Sequence, residues 1–199
     1  DETSLEDLMG ASGKLSVLDM LLRSLFRKGH RAVLFTQFTM VLDVIEDYCN
    51  LRGFKICRLD GATDRARRNY YVRRFNEPNS DIFLFLMTTR SGGMGLNLQT
   101  ADTCIIFDSD WNPQNDLQAQ ARAHRIGQKN MVNIYRLVSK DTVEEDILER
   151  AKQKMILEHL VIQQMDTSGR TVVQKKKSKV KFNNQELSKI LQFGARNLF

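Results

Sequence analysis

Two arginines stand three residues apart in QARAHRIGQ, Arg122 and Arg125, and positions i and i+3 of a helix share one face. Two guanidinium forks held side by side match a polyphosphate better than any other common partner. The same spacing also describes an ordinary solvated helix face, so the neighbours must decide. Upstream, TTRSGGMGLN carries Gly92, Gly93 and Gly95, followed by Asn97. Glycines let a backbone approach a ligand closely, and a polar group at Asn97 suits a ribose or phosphate oxygen. The ordered set of Gly-rich turn, apolar strand, FDSDWNP and QARAHRIGQ is a more specific signal for nucleotide chemistry than any one of these features.

The elements that must position these residues alternate between helix and strand. Leu15, Leu18, Leu22 and Leu25 recur at helical spacing over about 12–28, Gly29 ends that helix, and Ala32–Phe35 reads as a strand. Thr39 is a candidate cap for a second helix with Val41, Leu42, Ile45 and Tyr48 on one face, ended by Gly53 before strand Lys55–Leu59. The Asp60-Gly61 turn leads into a helix over Thr63–Glu77. The runs Ile82–Met87 and Cys104–Phe107 are continuously apolar, as strands covered on both faces are. Asn112 caps a helix that has Pro113 first and Gly127 as its stop; strand Val132–Val138 follows. Thr142 and Glu145 form a capping box for a long helix to about Gln164. This order predicts an α/β domain with a doubly wound parallel sheet, binding its ligands at the C-terminal ends of the strands.

Composition narrows the function classes. The length of 199 residues suits one domain plus an appendage. No apolar run approaches the ~20 residues of a membrane span and no signal-peptide pattern opens the chain, which predicts a soluble protein without a membrane partner. Cys49, Cys57 and Cys104 are odd in number and lie in apolar patterns, the usage of reduced core thiols. Neither they nor His30, His124 and His159 have metal-ligand spacing, so no metal site is expected on this chain. Residues 166–199 hold eight basic side chains against two acidic ones, which equals the formal net charge of +6 for the whole chain. Any nucleic-acid surface on the folded part is therefore a local patch.

GASGKL at Gly10–Leu15 superficially resembles a phosphate loop, but only two residues separate its glycines and Leu follows the Lys. The motif needs four residues there and Ser or Thr after the Lys. The chain thus lacks a phosphate loop and an acidic strand-end motif for Mg²⁺.

The run Thr88–Asn97 resembles motif five of the Swi/Snf-class superfamily-two ATPases, FDSDWNP the segment after it, and Gln118–Gln128 motif six. The chain resembles the second RecA-like lobe of chromatin remodellers, most closely the chromodomain-helicase-DNA-binding (CHD) group and next the ISWI group. LSKILQFGARNLF near the C-terminus resembles the segment that follows the motor in CHD proteins. The resemblance implies an ATPase half-motor that remodels nucleosomes in the nucleus, with ATP bound between two lobes and the Mg²⁺ ligands on a preceding lobe of the same polypeptide. Arg122 and Arg125 would stabilise transferring phosphate, and Gln118 would position the phosphate or lock the helix. Gly95 and Asn97 would meet the ribose side, and Gly93 would shape the turn. The matched DNA positions are Gln37, Arg58 beside the Asp60-Gly61 turn, Thr88, Arg90, Trp111 and Asn112. Such contacts to phosphates hold duplex DNA without reading its bases. Arg65, Arg67, Arg68, Arg73 and Arg74 add to the basic patch or form a solvated face, and Trp111 is either a packing anchor or a DNA neighbour.

The expected layout is a linker over 1–11, the lobe with its long helix over 12–165, a basic linker or extended strap over 166–182, and a short amphipathic bridging helix over 183–199. Lys175–Lys181 fits a nuclear localisation signal, a DNA contact or a solvated run alike. Two readings stand beside the half-motor: a non-catalytic DNA or chromatin-binding module of the same fold, and the lobe of a repair or recombination translocase.

Overall fold

The apolar runs become strands β1 (Ala32–Thr36), β2 (Ile56–Leu59), β3 (Leu84–Thr88) and β4 (Thr103–Ile106), joined by β5 (Asn133–Arg136), in a computed structural model that describes residues 2–92, 95–123 and 131–166. The sheet order is β2-β3-β1-β4-β5 and every adjacent pair is parallel. The helices are α1 (Glu2–Gly10), α2 (Gly13–Arg27), α3 (Thr39–Leu51), α4 (Arg65–Asn76), α5 (Thr89–Gly92), α6 (Pro113–Ala123) and α7 (Val143–Asp166).

Every residue of β1, β3 and β4 is buried, because helices cover both faces of the sheet. Strand side chains alternate between those faces. Leu34, Leu86 and Ile105 pack with Leu18 and Leu22 of α2 and with Leu42, Ile45 and Tyr48 of α3. Phe35, Phe85, Met87 and Ile106 pack on the other side with Phe75 of α4 and Ala119 and Ala123 of α6. The chain runs from β1 out to β2, returns to β3 beside β1, and then crosses β1 to β4 and β5 on the other flank. The loops that follow β1, β3 and β4 therefore meet where the winding direction reverses, the position at which such sheets bind ligands.

Residues 2–10, expected as linker, are helical instead: Leu5 and Leu8 of α1 pack onto the α2–α3 core. The side chain of Ser12 caps α2 by accepting a hydrogen bond from Leu15 N. The cap of α3 is Phe38 rather than Thr39, and it makes no side-chain cap bond. Asp64 caps α4 by accepting from Arg67 N at 2.9 Å. The capping box of α7 is displaced by one residue. Thr142 Oγ1 accepts from Glu144 N, and the Glu145 carboxylate accepts from Asp141 N. Lys14 of the false phosphate loop is a tertiary latch, donating to Phe107 O at 2.7 Å and pairing with Glu144.

The chain divides into two compact units, Asp1–Ala151 and Lys152–Phe199. The expected basic strap and bridging helix lie outside the described residues, save Asp166, which ends α7. Among the described residues no helix is long and apolar enough to cross a membrane.

Cys49, Cys57 and Cys104 are buried free thiols. Burial pushes their pKa values up to about 12, 11 and 12 respectively, because the thiolate loses its hydration. Only the thiolate reacts, so all three are expected to react with a disulfide reagent at least ~10²-fold more slowly in the native state than after denaturation. Thiol titration with and without denaturant measures this; a fast native phase would contradict it.

Candidate nucleotide and nucleic-acid site

Gly95 adopts φ +73, a conformation that L side chains rarely take. A Cβ built there would lie 3.9 Å from Nη1 of Arg122, so the Gly-rich loop and the arginine helix α6 meet. The loop is tied at several points. Leu98 N donates to Arg122 O at 3.2 Å. Asn76 Nδ2 donates to Asn97 O at 2.7 Å, and Thr100 Oγ1 donates to Asn76 Oδ1 at 2.9 Å. Asn97 Nδ2 donates to Gln99 Oε1, whereas Asn97 Oδ1 is buried and has no hydrogen-bond partner among the described residues. An unsatisfied buried acceptor costs ~1–3 kcal/mol, which a hydroxyl donor from a bound sugar would offset.

The Gly-rich loop, Asn97 and the Arg122 end of α6 are thus brought together. Gln118 is exposed one turn before Arg122 on α6. Gly93 and Arg125 lie outside the described residues. Among the described residues no group of three or more His, Cys, Asp or Glu side chains is arranged to hold a metal ion.

A second feature opens at the ends of β1, β2 and β3. Gln37, Phe38, Thr39, Met40, Gly61, Thr88, Arg90 and Ser91 line a cleft of about 400 Å³. It gathers three of the expected DNA positions, Gln37, Thr88 and Arg90, with the Asp60-Gly61 turn. Arg90 is exposed. Thr88 is only 5% exposed, and its hydroxyl donates to Ser91 Oγ at 2.9 Å, so it braces the start of α5.

The other expected DNA residues are placed differently. Arg58 pairs with Asp43, Glu46 and Asp60, so its charge is met by three local carboxylates rather than left for a phosphate. Burial works to raise the pKa of Asp60, but Ala62 N–H, Arg58 and Thr63 outweigh it and hold the carboxyl below its ordinary value. Asn112 Oδ1 accepts from Gln114 N at 3.3 Å and starts α6. Trp111 is 53% exposed, with the Arg150 guanidinium 5.8 Å from its ring centroid. On α4, Arg68 donates to Thr63 O, and Arg74 donates to the Tyr70 hydroxyl and pairs with Asp81.

Behind the cleft lies a polar network that the sequence reading did not single out. Asp108, just past β4, accepts from Gln37 N at 2.6 Å and from Thr36 Oγ1. Gln37 Nε2 donates to Ser109 O. Arg136 of β5 donates to Ser109 Oγ at 2.7 Å and pairs with Asp116 of α6. Burial pushes the Asp108 and Asp116 carboxyls up, opposed at Asp108 by Thr36 and Gln37 and at Asp116 by Arg136. The available signal was FDSD, whose Asp108 and Asp110 follow an apolar strand and are spent on hydrogen bonds within the fold rather than left as a metal motif.

Comparison with known proteins bears on the family and the fold. The family model described as the helicase conserved C-terminal domain matches residues 13–127. All of the chain aligns at 55% identity with Chromodomain-helicase-DNA-binding protein 1 of Homo sapiens, covering 12% of that protein. With the ISWI chromatin-remodeling complex ATPase ISW2 of Saccharomyces cerevisiae, 99% of the chain aligns at 49% identity and covers 17%. The crystal structure of the C-terminal part of the Fun30 ATPase domain matches 72% of this chain and 46% of that one, with a TM-score of 0.69 and 41% identity. The chain thus spans a small part of its curated relatives. Its α/β parallel sheet is a RecA-like lobe, and it belongs to the helicase conserved C-terminal domain family, in the Swi/Snf-class branch that includes the CHD and ISWI remodellers.

Proposed function

We propose that this chain is the second lobe of an ATP-dependent duplex-DNA translocase that remodels nucleosomes in the nucleus. Its partners in this reading are DNA or the nucleosome and the first RecA-like lobe of the same polypeptide. The observation that carries the reading is the approach of Arg122 to the Gly-rich loop, its Nη1 lying 3.9 Å from where a Cβ on Gly95 would sit. ATP is the substrate; Mg²⁺ would be held by the preceding lobe.

In this reading Arg122, with Arg125, supplies positive charge to the phosphates as charge develops in the transition state, a contribution of ~10³ to 10⁵ in rate in related phosphoryl transfers. Asn97 Oδ1 and the Gly95 backbone meet the sugar, with Gly93 shaping the turn. Gln118 steadies the phosphate or the helix. Gln37 and Arg90 touch DNA phosphates, Trp111 and Asn112 lie along the same strand, and Thr88 shapes the cleft floor. Arg58 acts indirectly, holding the Asp60-Gly61 turn through its three carboxylates. Closure of the lobes on ATP and reopening after hydrolysis would advance the duplex in small steps. The isolated lobe, without phosphate loop or metal ligands, is expected to be inactive.

The test is ATP hydrolysis by the two-lobe protein with naked DNA and with nucleosomes. Stimulation is expected; stimulation by neither would favour a non-catalytic binding module. The DNA contacts have a separate signature. Replacing Arg90 by Ala should lower the slope of log affinity against log salt by about 0.9, since one phosphate contact releases its counterion. Gln37→Ala should weaken binding several-fold without changing that slope, because Gln is uncharged. An unchanged slope for Arg90→Ala, measured by DNA titration across salt concentrations, would remove Arg90 from the interface.

A further inference from the structure

We propose that Ser109 and Arg136 are positioning residues that hold the arginine helix and the DNA-facing loop in one register, so that movement at the nucleotide is passed to the DNA. The inference rests on the reading that α6 faces ATP and Gln37 faces DNA. It follows from a chain of contacts that joins them. Asp116, on the buried face of α6 and 2% exposed, pairs with Arg136. The same Nη1 atom donates to Ser109 Oγ at 2.7 Å. Ser109 O accepts from the Gln37 side chain, while Asp108 fixes the Gln37 N–H at 2.6 Å. Asp110 N donates to Asp116 Oδ1 at 3.3 Å and closes the loop between β4 and α6 onto the same carboxylate.

Every link is a hydrogen bond to a charged group or within a largely buried network, where such bonds are stiff and directional. A displacement of α6 therefore moves Ser109, and Ser109 carries Gln37 with it. Ser109 is the joint: its hydroxyl faces the nucleotide side through Arg136, and its carbonyl faces the DNA side.

The test uses the two-lobe protein and measures base pairs advanced per ATP hydrolysed, a ratio that does not depend on the fraction of active protein. Ser109→Ala removes only the joint hydroxyl. It is expected to lower base pairs per ATP about tenfold while DNA-free hydrolysis stays within about twofold of wild type. Ser109→Thr, which keeps the hydroxyl, should restore coupling. On an Arg136→Met background, Ser109→Ala should change nothing further, since the link is already cut. Wild-type coupling in Ser109→Ala, or equal impairment of the Ala and Thr variants, would overturn the proposal. Arg122→Ala in the same assay separates the two readings. If it hydrolyses ATP normally, the nucleotide assignment fails; if it is inactive while Ser109→Ala stays coupled, only the positioning role fails.

Discussion

Arg122→Ala in the two-lobe protein is expected to lower kcat by about 10³-fold or more while DNA affinity stays within about twofold of wild type. Its Nη1 lies 3.9 Å from where a Cβ on Gly95 would sit, and its backbone carbonyl receives Leu98 N, so the residue lies beside the Gly-rich loop. An arginine held in this way loses little freedom when it meets a phosphate, which is the condition for strong electrostatic stabilisation in a dry cleft. Lysine carries the charge but not the planar fork, so Arg122→Lys should recover only part of the rate. Arg125→Ala is expected to behave like Arg122→Ala. Steady-state ATPase kinetics and a DNA-binding titration on the same preparations decide the matter. Wild-type turnover, or parallel loss of hydrolysis and DNA binding, would contradict the assignment.

The second large effect is expected at Gly95. Its φ of +73 penalises any side chain, and β-branched ones most. An alanine Cβ would sit at ordinary contact distance from Arg122 Nη1, 3.9 Å, so Gly95→Ala costs backbone strain alone. Valine adds methyl groups beyond that Cβ, on the side where the guanidinium packs. Strain of ~1–3 kcal/mol corresponds to about one or two powers of ten in kcat/KM if the loop yields rather than the fold. Gly95→Val should therefore lower kcat/KM by about 10²-fold, Gly95→Ala by about tenfold, with melting temperatures close to wild type. Equal kcat/KM for Gly95→Val and wild type would show that the loop does not face the nucleotide.

What the sequence made legible was what local pattern controls. Continuous apolar runs identified β1, β3 and β4 because strands covered on both faces need them, and leucines at helical spacing identified α2. The α1 helix was missed because ETSLEDLMG carries little apolar surface, and its Leu5 and Leu8 gain burial only from tertiary packing. The single-turn helix α5 was hidden because TTRSGG reads as a glycine-rich turn, although Thr88 and Ser91 brace its first turn by side-chain hydrogen bonds.

At the site, proximity in sequence carried the Gly-rich loop and α6, and the fold brings Gly95 and Arg122 together. Arg58 illustrates the opposite case. The resemblance implied a DNA contact there, but its neutralising partners Asp43 and Glu46 come from α3 and depend on how that helix lies against β2. The network through Asp108, Ser109, Asp116 and Arg136 joins β1, β4, α6 and β5. No periodicity or spacing encodes contacts of that kind.

The most direct measurement is a structure of the two-lobe protein with DNA and a transition-state mimic of ATP. Arg122 is expected to place a guanidinium nitrogen ~2.7–3.1 Å from the mimic's terminal oxygens, with Asn97 Oδ1 accepting a hydrogen bond from the sugar. An Arg122 guanidinium directed away from the phosphates, with Asn97 remote from the sugar, would leave a helicase-type lobe whose arginine helix has no part in hydrolysis.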